Sequence, residues 1–96
     1  MMTSKQRAYL KSLAMNMDAI FQIGKASLTP EVIEAVREAI DKRELIKVSV
    51  LKNCMDDPRE IADVLAERTR SQVVQVIGKK IVLFKQAKEN SKITLP

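Results

Sequence analysis

The chain of 96 residues has no histidine, no tryptophan, a single cysteine (Cys54) and only three aromatic side chains, Tyr9, Phe21 and Phe84. Each absence excludes a class of chemistry. A zinc centre needs about four thiolate or imidazole ligands, and this chain offers one thiol. Ser-His-Asp and Cys-His nucleophiles lack their base. Cys54 cannot form a disulfide within the chain, which points to a reducing cytoplasm. Two glycines and three prolines are too few for a collagen-like or low-complexity chain. No apolar run approaches the roughly 20 residues that span a bilayer, and Met1-Met2-Thr3 lacks the hydrophobic stretch of a signal peptide. A cytoplasmic protein with no membrane partner is expected, and no cofactor or small-molecule substrate is called for.

What remains is ordinary globular material, 46% hydrophobic and 30% charged. A chain of this length buries roughly 60–70% of its unfolded surface, enough for one core, so residues 1–96 read as a single domain with a polar tail from about residue 86. The net charge of +5 is unevenly spread. Residues 1–28 carry +3, residues 29–70 carry −2 and residues 71–96 carry +4. Basic ends around an acidic middle suit a polyanionic partner if the fold brings the ends together.

Hydrophobic spacing gives the elements. Tyr9, Leu10, Leu13, Ala14 and Met17 recur at helical intervals over Ser4 to Met17, after a Thr3/Gln6 capping box. Ala19 to Ile23 reads as a short strand stopped by Gly24. Thr29-Pro30-Glu31 opens a second helix with Val32, Ile33, Val36, Ala39 and Ile40 as its buried stripe. Leu45 to Leu51 alternates as a strand, Ile46, Val48 and Val50 facing one way and Lys47 and Ser49 the other. Asp57-Pro58-Arg59-Glu60 is a capping box for a third helix reaching about Arg70. Val73 to Ile77 and Ile81 to Phe84 flank Gly78-Lys79-Lys80 as a hairpin.

The order αβαβαββ specifies an α/β two-layer sandwich. Two right-handed crossovers make the first three strands parallel and put both crossover helices on one face. The hairpin makes the fourth strand antiparallel, and its apolar character places it inside the sheet, giving a four-stranded mixed sheet of order 1-2-4-3. Gln22, Lys47, Ser49 and Gln75 then point to a face left at least partly open. Parallel strands share a C-terminal edge, so Gly24-Lys25, Lys52-Asn53 and Gly78-Lys79-Lys80 should converge there, where open α/β sheets bind ligands. Helix N-termini point to the same edge and favour phosphate.

Four stretches carry a family resemblance: Lys5-Gln6-Arg7-x-x-Leu10-Lys11-x-Leu13-Ala14, Phe21-Gln22-Ile23-Gly24-Lys25-x-x-Leu28-Thr29, Arg43-Glu44-Leu45-Ile46-Lys47-Val48, and Val74-Gln75-Val76-Ile77-Gly78-Lys79-x-Ile81-Val82-Leu83. In this order and spacing they resemble the CRM domain (chloroplast RNA splicing and ribosome maturation), and more narrowly its stand-alone bacterial YhbY-like members, over about residues 3–85. The resemblance implies an RNA-binding module that associates with the 23S rRNA precursor in the large ribosomal subunit. It also implies a fold like the C-terminal domain of translation initiation factor three. The family's RNA-contacting loop is Gly-x-x-Gly with a basic residue inside. Here it reads Gly24-Lys25-Ala26-Ser27, so the glycine and lysine carry over and Ser27 replaces the second glycine. Serine tolerates positive φ poorly but adds a hydroxyl that can meet a phosphate.

The remaining candidates each have a plain structural alternative. Lys79 and Lys80 are phosphate contacts or ordinary turn residues. Arg7 and Lys11 clamp phosphates or form the solvated face of the first helix. Lys47, charged in mid-strand, favours a functional reason. Lys52 is weakened as a contact by nearby Asp56 and Asp57. Tyr9 and Phe21 read as core, Phe84 as either core or platform, and Cys54 as a loop bystander. Glu31, Glu34, Glu38 and Asp41 lie among Arg37 and Lys42 as solvated helix surface rather than acid–base machinery. The expected function is phosphate-led RNA binding in ribosome assembly by a monomer that is not an enzyme. The rival reading is a protein-interaction module whose open sheet face, with Lys47, binds an acidic protein surface.

Overall fold

The computed structural model describes residues 2–96. Its elements are α1 (Ser4–Ala14), β1 (Phe21–Ile23), α2 (Pro30–Arg43), β2 (Leu45–Val50), α3 (Pro58–Thr69), β3 (Gln72–Ile77) and β4 (Lys80–Phe84). The sheet order is β1-β2-β4-β3. β1 runs parallel to β2, and β4 is antiparallel to both β2 and β3. The expected topology is therefore the observed one.

Local chemistry explains the boundaries. The Thr3 hydroxyl accepts from Gln6 N at 3.1 Å and the Gln6 carboxamide accepts from Thr3 N at 3.1 Å, a complete capping box. α1 stops at Ala14, short of the expected Met17, because Met17 folds back and donates its N–H to Ala14 O at 3.0 Å. Thr29 caps α2 by accepting from Val32 N at 3.1 Å, with Pro30 entering the first turn. Asp57 caps α3 through Arg59 N at 3.0 Å, so the expected capping box is reduced to a single side-chain cap.

Two apolar clusters lie on opposite faces of the sheet. α2 and α3 cover the first, where Ile46, Val48 and Val50 of β2 meet Ile23, Val36, Ile40, Ile61, Leu65, Ile81 and Leu83. Cys54 belongs to this cluster at 5% exposure, so it is a core side chain and not a loop bystander. On the second face Leu10 and Ala14 of α1 pack against Leu45, Val74, Val82 and Phe84, joined by Met2, Met17, Ile93 and Leu95. α1 and the tail thus add a partial third layer to the sandwich. Only the Leu10/Ala14 line of α1 is fully buried, leaving Tyr9 39% and Leu13 38% exposed, contrary to the core role expected of Tyr9. Phe84 is core at 4% exposure.

The polar tail, which carried no sequence signal, is organised by Glu44. This residue ends α2 with φ of 67° and ψ of −44°, a positive φ, outside the left-handed helical region, that disfavours a non-glycine residue. Its side chain is buried, and its carboxylate accepts from Ala87 N (2.9 Å), Ser91 Oγ (2.7 Å), Lys92 N (2.6 Å) and Ile93 N (3.3 Å). Its carbonyl accepts from Lys85 N at 2.8 Å. Burial pushes the Glu44 carboxyl up, but the four donors together hold it below the ordinary carboxylate value. The chain end is tied to α1 by Gln6 Nε2 donating to Pro96 O at 3.2 Å.

Candidate nucleic-acid interface

The far end of the sheet from Glu44 is where the loops gather. At the C-terminal end of β2, Leu51 N donates to Ile23 O at 2.9 Å on one side, and Val50 N donates to Lys79 O at 2.7 Å on the other. These two bonds set the loops after β1, β2 and β3 side by side. The convergence expected of Gly24-Lys25, Lys52-Asn53 and Gly78-Lys79-Lys80 is thus a direct result of strand order.

The loop after β1 has its own logic. Ser27 N donates to Gly24 O at 2.9 Å, closing a tight turn, and Ser27 has φ of 55°. Serine therefore takes the left-handed conformation that glycine adopts without steric cost. Its hydroxyl donates to the Asp56 carboxylate in the loop after β2. Ser27 is a tie between loops, and its hydroxyl is engaged by a carboxylate instead of standing free for a phosphate. A Cβ at Gly24 would lie 3.6 Å from Asn53 Oδ1 and 3.8 Å from Leu51 Cδ1, ordinary contacts that show how closely the two loops touch.

In the β3–β4 hairpin Gly78 has φ of 56° with open space around it, so the two-residue turn Gly78-Lys79 is the reason for glycine there. Lys80 is the first residue of β4 and donates from Nζ to Ser49 Oγ at 3.0 Å. Lys25, Lys52, Lys79 and Lys80 are all exposed. Among the described residues the ion pairs are Arg37–Glu34 at 3.5 Å and Lys85–Asp41 at 2.7 Å, and neither involves these four lysines.

The adjoining sheet face continues the basic character. Lys47 stands opposite Val82 and Ser49 opposite Lys80, so these side chains share a face across β2 and β4. Lys11, Lys47 and Lys80 line one groove of about 390 Å³ with Met15, Gln75, Ile77 and Val82. Lys11 and Lys47 are thereby brought to the same surface as Lys80 of the hairpin. Arg7 is used differently. Its Nη1 donates to Val73 O at 2.7 Å and Val74 O at 2.6 Å, at the point where the β3–β4 register shifts. That arginine holds a β-bulge in place, a role neither clamp nor solvated face anticipated. A second residue escaped the sequence reading: Arg59 shares a groove with Arg7 and Lys11. It reaches that groove from α3, beside the edge strand β3, and no binding motif of the sequence marks it.

Comparison with known proteins follows the same outline. The model of the CRS1 / YhbY (CRM) domain matches residues 2–85. The chain is 48% identical over 96 residues to the Bacillus subtilis protein named Probable RNA-binding protein YqeI, covering all of both chains. It is 32% identical over 95 residues to a Haemophilus influenzae protein named RNA-binding protein, covering 99% of this chain and 95% of that one. The solution structure of the hypothetical protein SAV1595 from Staphylococcus aureus, a candidate RNA-binding protein, is 51% identical, with a TM-score of 0.84 over 100% of each chain.

Proposed function

The chain belongs to the CRS1 / YhbY (CRM) domain family, and from that premise we propose that it binds structured RNA through phosphate contacts at the lysine-bearing loop edge. The RNA is the 23S rRNA precursor, and the protein acts as a monomeric assembly factor of the large ribosomal subunit in the cytoplasm, by binding and not by catalysis. The observation that carries this reading is the gathering of Lys25, Lys52, Lys79 and Lys80 at one end of the sheet, exposed and outside the ion pairs of the described residues. Four fixed cations on adjoining loops suit a polyanion, and charge-assisted contacts to phosphate oxygens position a nucleic acid without reading its sequence. Ser27 sets the shape of the first loop and ties it to the second through Asp56. Lys47 and Lys11 extend the same positive surface onto the sheet face.

With three aromatic residues, of which Phe84 is buried, stacking of bases cannot dominate, so backbone contacts and RNA shape are what this surface can recognise. Filter binding to large-subunit precursor RNA tests the proposal. Lys25→Glu combined with Lys79→Glu is expected to lower the affinity at least tenfold, since it reverses two phosphate contacts. Unchanged affinity would sink the proposed site. Equal competition by duplex DNA would contradict recognition of RNA. Partners retained after ribonuclease treatment in a pull-down would support the rival protein-binding role of the sheet face around Lys47.

A further inference from the structure

β3 is an edge strand, and the groove along its outer side is cationic. Sheet order leaves Gln72–Ile77 paired only with β4. A groove of about 530 Å³ runs there, lined by Val73 to Ile77, by Arg7 and Lys11 from α1, and by Arg59 from α3. α1 and α3 cover opposite faces of the sheet, so the edge strand lies between cations from both sides, and no carboxylate lines it. The Gly78-Lys79 turn follows directly on Ile77, so the groove ends where the hairpin of the loop edge begins.

An exposed edge strand invites another strand, but this edge is built against pairing. The register shift between Val73 and Gln75 breaks the regular ladder, and Arg7 already occupies the carbonyls of Val73 and Val74. A second copy of the chain would bring these cations against their own kind. The charge instead suits a chain of phosphates, which needs donors and positive potential and no strand register.

We propose that the β3 edge is a second nucleic-acid contact, a track that takes the sugar–phosphate backbone of the RNA strand leaving the loop edge, with Arg59 as a phosphate contact. Arg7 serves there as a positioning residue that holds the bulged wall. The inference rests on the RNA-binding reading above and extends it to a surface and a residue on α3.

The test uses two synthetic RNAs, a stem–loop and the same stem–loop with a short single-stranded extension, titrated into 15N-labelled full-length protein. Both RNAs are expected to shift the amides of Lys25, Lys52 and Lys79, and only the extended RNA those of Arg59, Gln75, Val76 and Ile77. The extension should tighten binding roughly three- to tenfold and steepen its salt dependence by about one phosphate contact, and Arg59→Gln should abolish that gain while leaving the stem–loop affinity unchanged. Arg59 is exposed and enters the α3 cap only by donating its backbone N–H to Asp57, so the variant keeps its fold, which its melting temperature checks. Loop-edge shifts without groove shifts would overturn the track and leave the RNA reading standing. Shifts at neither would overturn both. Groove shifts produced by a synthetic polyglutamate peptide and not by the RNA extension would overturn it in favour of an acidic protein partner.

Discussion

The two ends of the sheet use charge in opposite ways. At one end Glu44 is buried and accepts four hydrogen bonds from the tail. At the other, Lys25, Lys52, Lys79 and Lys80 stand exposed, and only Lys80 has a hydrogen-bonded side-chain partner, Ser49. A charge with every partner inside the chain serves the fold, because removing it strands buried donors. Charges left facing water add little to stability and remain available to a partner. The acid end therefore governs folding and the lysine end governs binding, and substitutions should separate the two.

The largest effect is expected at the acid end. Glu44→Ala leaves the amides of Ala87, Lys92 and Ile93 without their acceptor and should cost about 3 kcal/mol in urea unfolding. Affinity for RNA under native conditions should hardly change. The mirror experiment is the charge reversal of Lys25 and Lys79. It should weaken RNA binding by about 1.4 kcal/mol or more, while the melting temperature stays within about two degrees of wild type. A variant that lost both properties at once would erase the division between the ends.

Acid sharpens the same contrast. The folded Glu44 carboxyl lies below its ordinary value of 4.5, so its stabilisation is complete above that pH and is lost as the pH falls through the lower folded value. Urea unfolding of wild type and Glu44→Gln across this acid range should converge, the wild type losing its advantage as Glu44 takes up a proton. Parallel curves would mean that the carboxylate is not the latch.

The smallest effect concerns the one acid tied into the loop edge. Asp56 accepts from the Ser27 hydroxyl and places a negative charge beside the Lys25 loop. Asp56→Asn keeps an acceptor for Ser27 and removes the charge, so RNA should bind about two- to threefold more tightly in fluorescence anisotropy. Weaker binding would show that the Ser27–Asp56 tie shapes the loop through its charge.

Much of the fold was legible because its signals are local. Thr3 with Gln6, Thr29 with Pro30, and Asp57 with Pro58 mark helix starts within a few residues, and the alternation of Ile46, Val48 and Val50 marks a buried strand face. Strand order followed from handedness and the hairpin, and loop convergence followed from strand order. What stayed hidden depends on residues far apart in sequence. Glu44 gives no sign that a tail more than forty residues later will close over it. Arg7 reads as an exposed cation until the bulge at Val73 and Val74 reaches it. Tyr9 and Leu13 satisfy a helical stripe, yet α1 buries only the line of Leu10 and Ala14, because it lies on one part of the sheet face instead of wrapping it. At the candidate site the lysines were legible as residue types, but the Ser27 bond to Asp56 was not.

The salt dependence of RNA affinity tests the central claim most directly. For the wild-type protein, the logarithm of the association constant should fall linearly with the logarithm of salt concentration, with a slope of about −0.7 to −0.9 for each phosphate contacted. In Lys25→Gln combined with Lys79→Gln the slope should flatten by about two contacts. An identical slope in both proteins would contradict the assignment of the lysine end as the phosphate-binding surface.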